Sequence, residues 1–342
     1  MTVNEAGEPM PPGATSTSSF IVTPLSPALG AEIQLPGGVP PNLGDLWSRT
    51  ADRQAVEKLL LDHQVRTLHT RAYTNANGFP DPRFLPRPPA QVLLFRNQAI
   101  TPDTQLAIAQ TFGQVTPHPL GSREDALAAE GIPEGVVVLE NTKGRENEAR
   151  NDMWHSDVSA VERPAAVNVL YAADYDLPPG LGDTLFANME RAYDALGTAQ
   201  QEALQQMDSY FSTHLFENEN PREKLKISTG TYHPTVRTHP VSCRDSLYLS
   251  PVFFEHFRGM SANESVPLLA ELTTLSTTPG NTYRHRWATG DLIIFDNRNT
   301  MHYAVYDYDA GTNRTMHSAR AQMSERPFSK HRDGGGVVAA CA

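Results

Sequence analysis

The chain has 342 residues, 39% of them hydrophobic, and its 28 basic against 39 acidic residues give a net charge of -11. This length and apolar content allow one large catalytic domain, or two ordinary ones, with a sizeable core. The negative charge argues against nucleic acid or an anionic membrane as a general partner, because both require a basic face. No apolar run reaches the roughly 18 residues of a membrane-spanning helix. We therefore expect a small-molecule substrate, no nucleic-acid or membrane partner, and leave a homo-oligomer open.

The ends of the chain and its cysteines predict one domain in a reducing compartment. Residues 1–19 are rich in Pro, Gly, Ser and Thr, with neither a basic start nor an apolar run, which predicts a disordered tail and not a secretory signal. Residues 330–342 predict a second flexible tail, and no linker interrupts 20–329, the expected single domain. Cys243 and Cys341 are the two cysteines, so we expect no disulfide and a cytoplasmic location.

Helices are predicted where apolar residues recur every three or four positions after a capping residue. Thr101, Pro102 and Asp103 supply a cap, a proline at the first helical position and an early acid, which predict a helix that ends before Gly113. Further helices are predicted at 50–67, 189–196, 199–207 and 261–275.

Short apolar or β-branched runs bounded by turn residues predict the strands. They follow an extended segment at 20–33 and lie at 92–95, 136–139, 167–173, 183–186, 246–249, 291–295 and 313–317. Many short strands in the centre, with helices outside them, predict an α+β, mainly β fold. Its expected core is a double-stranded β-helix, or jelly roll, with flanking helices.

The segment 151–158 contains the first candidate metal ligands, His155 and Asp157. In an extended segment alternate side chains share a face, so the two can converge on one ion. His302 offers a third ligand far downstream. Two histidines and a carboxylate leave positions open on a non-haem Fe(II) for a co-substrate and oxygen, although a zinc hydrolase could use the same three ligands. With 12 histidines and 39 acidic residues in the chain, a His-x-Asp pattern alone is more often no metal site.

A single arginine strengthens the interpretation as an oxygenase. Arg314 lies on a predicted strand after His302, and its planar fork of donors suits the far carboxylate of a dicarboxylate co-substrate. A hydrolase has no need of such a group. The sequence therefore favours an oxygenase over a hydrolase, and the intact ligand set argues against a catalytically silent binding protein.

Several stretches in order along the chain resemble the TauD/TfdA family of Fe(II)/2-oxoglutarate-dependent dioxygenases: 154–158, 182–185, 236–241, 295–298, 302–304 and 314–317. The resemblance runs from about residue 20 to about residue 328 and implies the jelly-roll fold. It implies Fe(II), 2-oxoglutarate and O2 as cofactor and co-substrates, with His155, Asp157 and His302 as metal ligands and catalytic centre. The implied reaction hydroxylates, or oxidatively cleaves, an aliphatic C–H position of a small molecule and releases succinate and CO2. Desaturation or another oxidative tailoring step in natural-product biosynthesis would use the same residues.

The same resemblance implies roles for the residues around the metal. Thr184 is expected to help Arg314 hold the distal carboxylate of 2-oxoglutarate. A strand threonine is by itself usually only a mark of β-propensity, so this role depends on the family motif.

For the substrate, the resemblance implies contacts from His118, Asn151 and Val158. Family members that act on sulfonates carry a second arginine four residues after the first, where this chain has Ser318. Taurine itself is therefore not the expected substrate. Arg320 lies two residues further along the same strand face and could partly compensate.

Overall fold

A computed structural model describes residues 15–17, 20–35, 41–61, 91–115, 131–140, 153–214, 230–309 and 312–332. Two of the predicted substrate residues, His118 and Asn151, lie outside these ranges. So does the last part of the helix predicted at 50–67, of which Thr50–Leu61 is described.

The helices begin where the sequence supplies capping groups. They are α1 (Leu43–Trp47), α2 (Thr50–Leu61), α3 (Pro102–Thr111), α4 (Met189–Asp194), α5 (Thr198–Gln205) and α6 (Ala262–Ser276), with a short 3-10 helix at Pro279–Asn281. At the start of α3 the side chain of Thr101 accepts the N–H of Thr104, and Ser261 forms a capping box with Glu264 at the start of α6. Both of these predicted helices are confirmed.

Most strands are short, as predicted, whereas Ala165–Tyr175 has 11 residues and Arg314–Gln322 has 9. They are β1 (Thr15–Thr17), β2 (Phe20–Pro24), β3 (Ala31–Gln34), β4 (Val92–Phe95), β5 (Val136–Glu140), β6 (Ala165–Tyr175), β7 (Thr184–Asn188), β8 (Asp208–Ser212), β9 (Gly230–Pro234), β10 (Val236–Thr238), β11 (Asp245–Leu247), β12 (Phe254–Phe257), β13 (Thr282–His285), β14 (Leu292–Asp296), β15 (Thr300–Ala304) and β16 (Arg314–Gln322). The strand predicted at 313–317 is therefore longer than expected and includes Ser318 and Arg320.

Eight strands form the main sheet, in the order β1-β2-β3-β4-β14-β6-β16-β5. The apolar β14 is buried at every position and pairs with β4 on one side and β6 on the other, as expected for a central strand. One face of this sheet packs on the helices, where Val169 of β6 shares a core cluster with Val56 of α2 and Ile108 of α3. Burial of each such side chain contributes about 1.5–3 kcal/mol.

The other face of the main sheet is covered by the three-stranded sheet β13-β7-β15. Phe186 of β7 meets Phe295 of β14 edge to face, with ring centroids 5.2 Å apart, and both lie in one core cluster with Met316 of β16. Because alternate strand residues share a face, Arg314 lies on the same side of β16 as Met316. The space between the two sheets therefore receives side chains from both of them.

Two smaller sheets, β12-β8-β9 and β10-β11, extend the structure beyond this sandwich. Phe211, Val236 and Leu272 belong to a second core cluster that joins these sheets to α6. The sequence predicts no strand at β8, β9, β12, β13 or β15. In these strands, polar residues become buried when the strand pairs with its neighbour. In β15, for example, His302 is opposite Phe186 of β7.

Ordered structure is present within both ranges predicted as tails. β1 lies within 1–19 and pairs with β2. At the other end, Lys330 N donates to Thr238 Oγ1 at 3.0 Å, and His331 Nε2 lies 2.8 Å from Asp245 Oδ2.

The expectation of no disulfide is wrong, because Cys243 is disulfide-bonded. The other cysteine of the sequence is Cys341, which lies outside the described residues. A bond between cysteines distant in sequence depends on the tertiary fold, which a cysteine count does not contain. No helix in the described ranges has the length and hydropathy needed to span a membrane.

Candidate metal and co-substrate site

Three predicted metal ligands meet between the two stacked sheets. Asp157 Oδ1 lies 3.3 Å from His155 Nε2 and 3.8 Å from His302 Nε2, and all three candidate ligand atoms lie within 4.8 Å of one another. Within the described ranges no other group of three histidine, cysteine or acidic side chains is arranged in this way. Two imidazole nitrogens and one carboxylate oxygen form the donor set that suits non-haem Fe(II).

The ligands converge by a different backbone path from the one expected. His155 and His302 form a β-bridge, in which His155 N donates to His302 O at 2.9 Å and His302 N donates to His155 O at 2.8 Å. Asp157 begins a turn, so the prediction that the two residues share one face of an extended segment is wrong. The bridge brings the two histidines together, and the turn directs Asp157 towards them.

Asn297 holds this turn in place from the neighbouring chain segment. Its side-chain oxygen accepts the N–H of Asp157 at 2.8 Å, and its amide nitrogen donates to Asp157 O at 3.2 Å. The next residue, Val158, has φ 58, a strained conformation for a β-branched residue. Such strain persists only where surrounding contacts determine the conformation, and Asn297 supplies two of them.

The β14–β15 turn, which contains Asn297, is itself stabilised by charged residues. Arg298 makes two contacts with the carboxylate of Asp296, at 2.8 Å and 2.6 Å, which stabilise the turn. Arg237 and His239, which have no predicted role, support the same turn. Arg237 donates to Asn297 O at 2.7 Å, and His239 Nε2 lies 3.0 Å from Asp296 Oδ2.

Asp157 and His302 have the protonation states that a divalent metal requires. Burial alone would raise the pKa of the Asp157 carboxyl, but the hydrogen bond with His155 and the positive charge of Arg320 hold that pKa well below its usual range. Burial, followed by the nearby His155 ring, lowers the pKa of His302 to about 3. At neutral pH the site therefore presents a carboxylate and a neutral imidazole.

The orientation of His155 directs its Nε2 towards the other two candidate ligands. Its Nδ1 lies 3.0 Å from the carbonyl oxygen of Met153. Because a carbonyl can only accept a hydrogen bond, Nδ1 carries a hydrogen, and Nε2 is the atom that faces Asp157.

The predicted co-substrate arginine is a buried cation between aromatic rings. Arg314 is 6% exposed, and its guanidinium carbon lies 5.8 Å from the Tyr175 ring and 5.6 Å from the Tyr308 ring. Its Nε has no hydrogen-bond partner, and no salt bridge to Arg314 is present in the described part of the chain. A buried unpaired donor of this kind is costly unless a ligand uses it.

Tyr175 contacts both Arg314 and the Gly-Asp-Thr motif, which spans residues 182–184. Burial raises the pKa of its phenol to about 12 although Arg314 acts in the opposite direction, so the hydroxyl is protonated. It lies 2.7 Å from Gly182 O. Gly182 has φ 67, and a Cβ there would collide with the Tyr175 oxygen, which explains why this position requires glycine.

Thr184 occupies the first position of β7, on the same face as Phe186. Its hydroxyl accepts the indole N–H of Trp287 at 2.9 Å. Trp287 had no predicted role, and its position in the sequence, well outside the Gly-Asp-Thr motif, offers no sign of this contact.

The predicted substrate positions on β16 lie on the inner face of the main sheet. Ser318 is 4% exposed and lies opposite Val137 of β5 and Leu170 of β6. Arg320 lies opposite Asn168, and its Nη1 is 3.6 Å from Asp157 Oδ2. The surroundings of Ser318 are therefore apolar, and the cation two residues further along faces the metal ligands.

Three converging candidate metal ligands, together with a buried arginine whose Nε has no hydrogen-bond partner, are typical of a non-haem metal enzyme with an acidic co-substrate. The family model described as taurine catabolism dioxygenase TauD, TfdA family matches residues 90–320. The chain belongs to this family.

Among its relatives, an alkylsulfatase of Acinetobacter baylyi is 35% identical over 231 residues, which cover 64% of this chain and 69% of the relative. An alpha-ketoglutarate-dependent 2,4-dichlorophenoxyacetate dioxygenase of a Burkholderia species is 31% identical over 254 residues, 69% of this chain and 84% of the relative. The solved structure of AAD-2 with Mn(II) and N-oxalylglycine is 25% identical, has a TM-score of 0.67, and covers 91% of this chain and 100% of its own.

The chain is an Fe(II)- and 2-oxoglutarate-dependent dioxygenase that uses O2 and acts on a small molecule. The predictions of family, enzyme class and cofactors are confirmed.

Proposed function

We propose that His155, Asp157 and His302 bind the catalytic iron. The observation that carries this proposal is the convergence of two imidazole nitrogens and one carboxylate oxygen within 4.8 Å. The bound metal would supply oxidative decarboxylation of 2-oxoglutarate to succinate and CO2, coupled to oxidation of a substrate C–H bond. The protein's part is to keep three ligands in place and leave the remaining positions open.

Arg314 and Thr184 would hold the distal carboxylate of 2-oxoglutarate. The unpaired Nε of Arg314 supports this role, because a carboxylate is the natural partner of a buried guanidinium. The Thr184 oxygen already accepts the Trp287 indole N–H, so its own hydrogen remains to be donated.

The substrate pocket would be bordered by Ser318, Arg320 and Val158, with His118 and Asn151 as further predicted contacts. The apolar neighbours of Ser318 support a substrate that is neutral there, or that carries its charge elsewhere. An unpaired sulfonate at this place would be costly to bury. Hydroxylation or oxidative cleavage of an aliphatic carbon is the proposed outcome, with desaturation as the alternative.

The two stacked sheets support a double-stranded β-helix within a single domain, 20–329. We place the enzyme in the cytoplasm, where Fe(II) stays reduced. The disulfide at Cys243 is a bond that oxidising compartments favour. Neither nucleic acid nor a membrane is proposed as a partner, and a homo-oligomer is compatible with this assignment.

The test is succinate release from 2-oxoglutarate across sulfonates, sulfate esters, aryloxy acids, amino acids and larger metabolites. Coupled turnover with one class would identify the substrate. His155→Ala, Asp157→Ala and His302→Ala should each abolish succinate formation. A matched control is His256→Ala, because His256 lies on β12 and is hydrogen-bonded to Tyr232, outside this site. Full activity in His302→Ala, or substrate hydrolysis with Zn(II) and no 2-oxoglutarate, would overturn the assignment.

A further inference from the structure

Asn168 and Arg320 face each other directly across the β6–β16 pair. Residues opposite each other in an antiparallel pair project from the same face, and here that face lies over Asp157. Asn168 is fully buried, and both residues lie outside the short stretches on which the resemblance to the family was first based. Their shared neighbour is a proposed metal ligand.

Both side chains contact the same oxygen of that ligand. Asn168 Nδ2 donates to Asp157 Oδ2 at 2.5 Å, and Arg320 Nη1 lies 3.6 Å from Oδ2. The other oxygen, Oδ1, is the one near His155 Nε2 and His302 Nε2. The two oxygens of the carboxylate therefore have separate partners.

We propose that Asn168 and Arg320 form a carboxylate clamp that restricts Asp157 to one metal bond. The proposal rests on the function above, in which Asp157 is a ligand. A carboxylate with two free oxygens can bind a cation through both, and a second bond would occupy a position that the co-substrate or O2 requires. By holding Oδ2, the clamp keeps that position open.

The local energetics support this arrangement. A buried guanidinium needs a charged partner, and the ion pair of Arg320 within the described residues is with Asp157. The Oδ1 atom of Asn168 is buried without a hydrogen-bond partner. A reversed amide would set that oxygen against the carboxylate, so the Asp157 charge determines which way Asn168 points.

The clamp also gives Arg320 a role other than substrate binding. Ser318 stands where sulfonate-oxidising relatives would carry an arginine, and the cation present two residues later is directed at Asp157. Arg320 is therefore a positioning residue, and the selectivity of the pocket would depend mainly on the apolar surroundings of Ser318.

The experiment measures the binding of N-oxalylglycine to the Mn(II)-loaded protein by calorimetry, with no primary substrate present. This analogue needs two open metal positions. Asn168→Leu and Arg320→Gln should each weaken its binding about tenfold, the range seen when groups behind a metal ligand are removed. Arg320→Lys, which keeps the charge, should recover part of the loss.

Arg258→Gln is the matched control, because it breaks an arginine–aspartate pair with Asp208 at the surface. Its affinity should equal that of the wild type. A crystal structure of the Mn(II) form should show one Asp157 oxygen on the metal in the wild type and both, or a rotated carboxylate, in Asn168→Leu. If Arg320→Gln does not fold by circular dichroism, Asn168→Leu and Arg320→Lys carry the test.

Unchanged N-oxalylglycine affinity in the folded variants, or both Asp157 oxygens on Mn(II) in the wild type, would overturn the clamp. If Arg320 contacted only the substrate, its variants would bind N-oxalylglycine with unchanged affinity. Failure of the underlying function looks different: the wild type would then show no Mn(II)-dependent binding of the analogue at all.

Discussion

The indole N–H of Trp287 donates to the hydroxyl oxygen of Thr184 at 2.9 Å, and both side chains are almost fully buried. A hydroxyl that accepts from an indole donates its own hydrogen elsewhere. This contact thus orients Thr184 as a donor for the proposed 2-oxoglutarate carboxylate.

Trp287→Phe keeps the aromatic bulk and removes the indole donor, so Thr184 loses its fixed orientation. We expect the apparent constant for 2-oxoglutarate to rise severalfold, as the loss of about 1 kcal/mol implies. The measurement is succinate release against 2-oxoglutarate concentration. Thr184→Val should have a similar effect, and the double variant should be little worse than either single one. Strictly additive losses would contradict the coupling.

Arg314→Ala removes the proposed partner of the distal carboxylate. A charge-assisted bidentate contact contributes about 1.5–3 kcal/mol, so the apparent constant for 2-oxoglutarate should rise by about one to two orders of magnitude. Mn(II) binding, measured by calorimetry without 2-oxoglutarate, should be retained because the triad is untouched. Unchanged dependence on 2-oxoglutarate would refute the assignment of Arg314.

Ser318→Arg places a cation where relatives that oxidise sulfonates carry one. The wild type should show little taurine-stimulated turnover of 2-oxoglutarate, since a sulfonate beside Val137 and Leu170 would lack a partner. The variant should gain that turnover. Ser318→Gln serves as a matched control of intermediate size without the charge. Tightly coupled taurine turnover by the wild type would show that the role given to Ser318 is wrong.

Stability should fall in mild acid because His233 is buried uncharged. Burial lowers its pKa from 6.5 to about 4, against the effect of a hydrogen bond to Val161. Between these two values the unfolded chain binds the proton and the folded one does not, so the free energy of unfolding falls as the pH falls. This histidine should account for about 2 kcal/mol between pH 7 and pH 5.

The measurement is urea unfolding of the metal-free protein at both pH values. His233→Gln keeps a donor for Val161 O but cannot titrate, so its free energy of unfolding should change less with pH than that of the wild type. Parallel pH profiles in the two proteins would rule out this contribution.

Features that depend on neighbouring residues could be predicted from the sequence. The helices that start at Thr101 and Ser261 follow from capping groups within three positions, and β14 follows from a continuous apolar run. The candidate metal ligands could also be identified from the sequence, because His155, Asp157 and His302 lie in family motifs. Local propensity acts over short distances along the chain, and motifs are recognised from their own residues. These features could therefore be predicted without knowing which strands pair.

How these groups meet depends on the tertiary fold. Asp157 reaches the histidines through a turn that Asn297 holds, and not along an extended strand. Asn168, Trp287 and the polar strand β15 have no distinctive local pattern, since each acquires its role from the residue opposite it in a sheet or from a contact across the core. Strand register sets those partners, and a shift of one residue would turn every side chain to the other face. Register depends on pairing between distant segments, which no single stretch of sequence encodes.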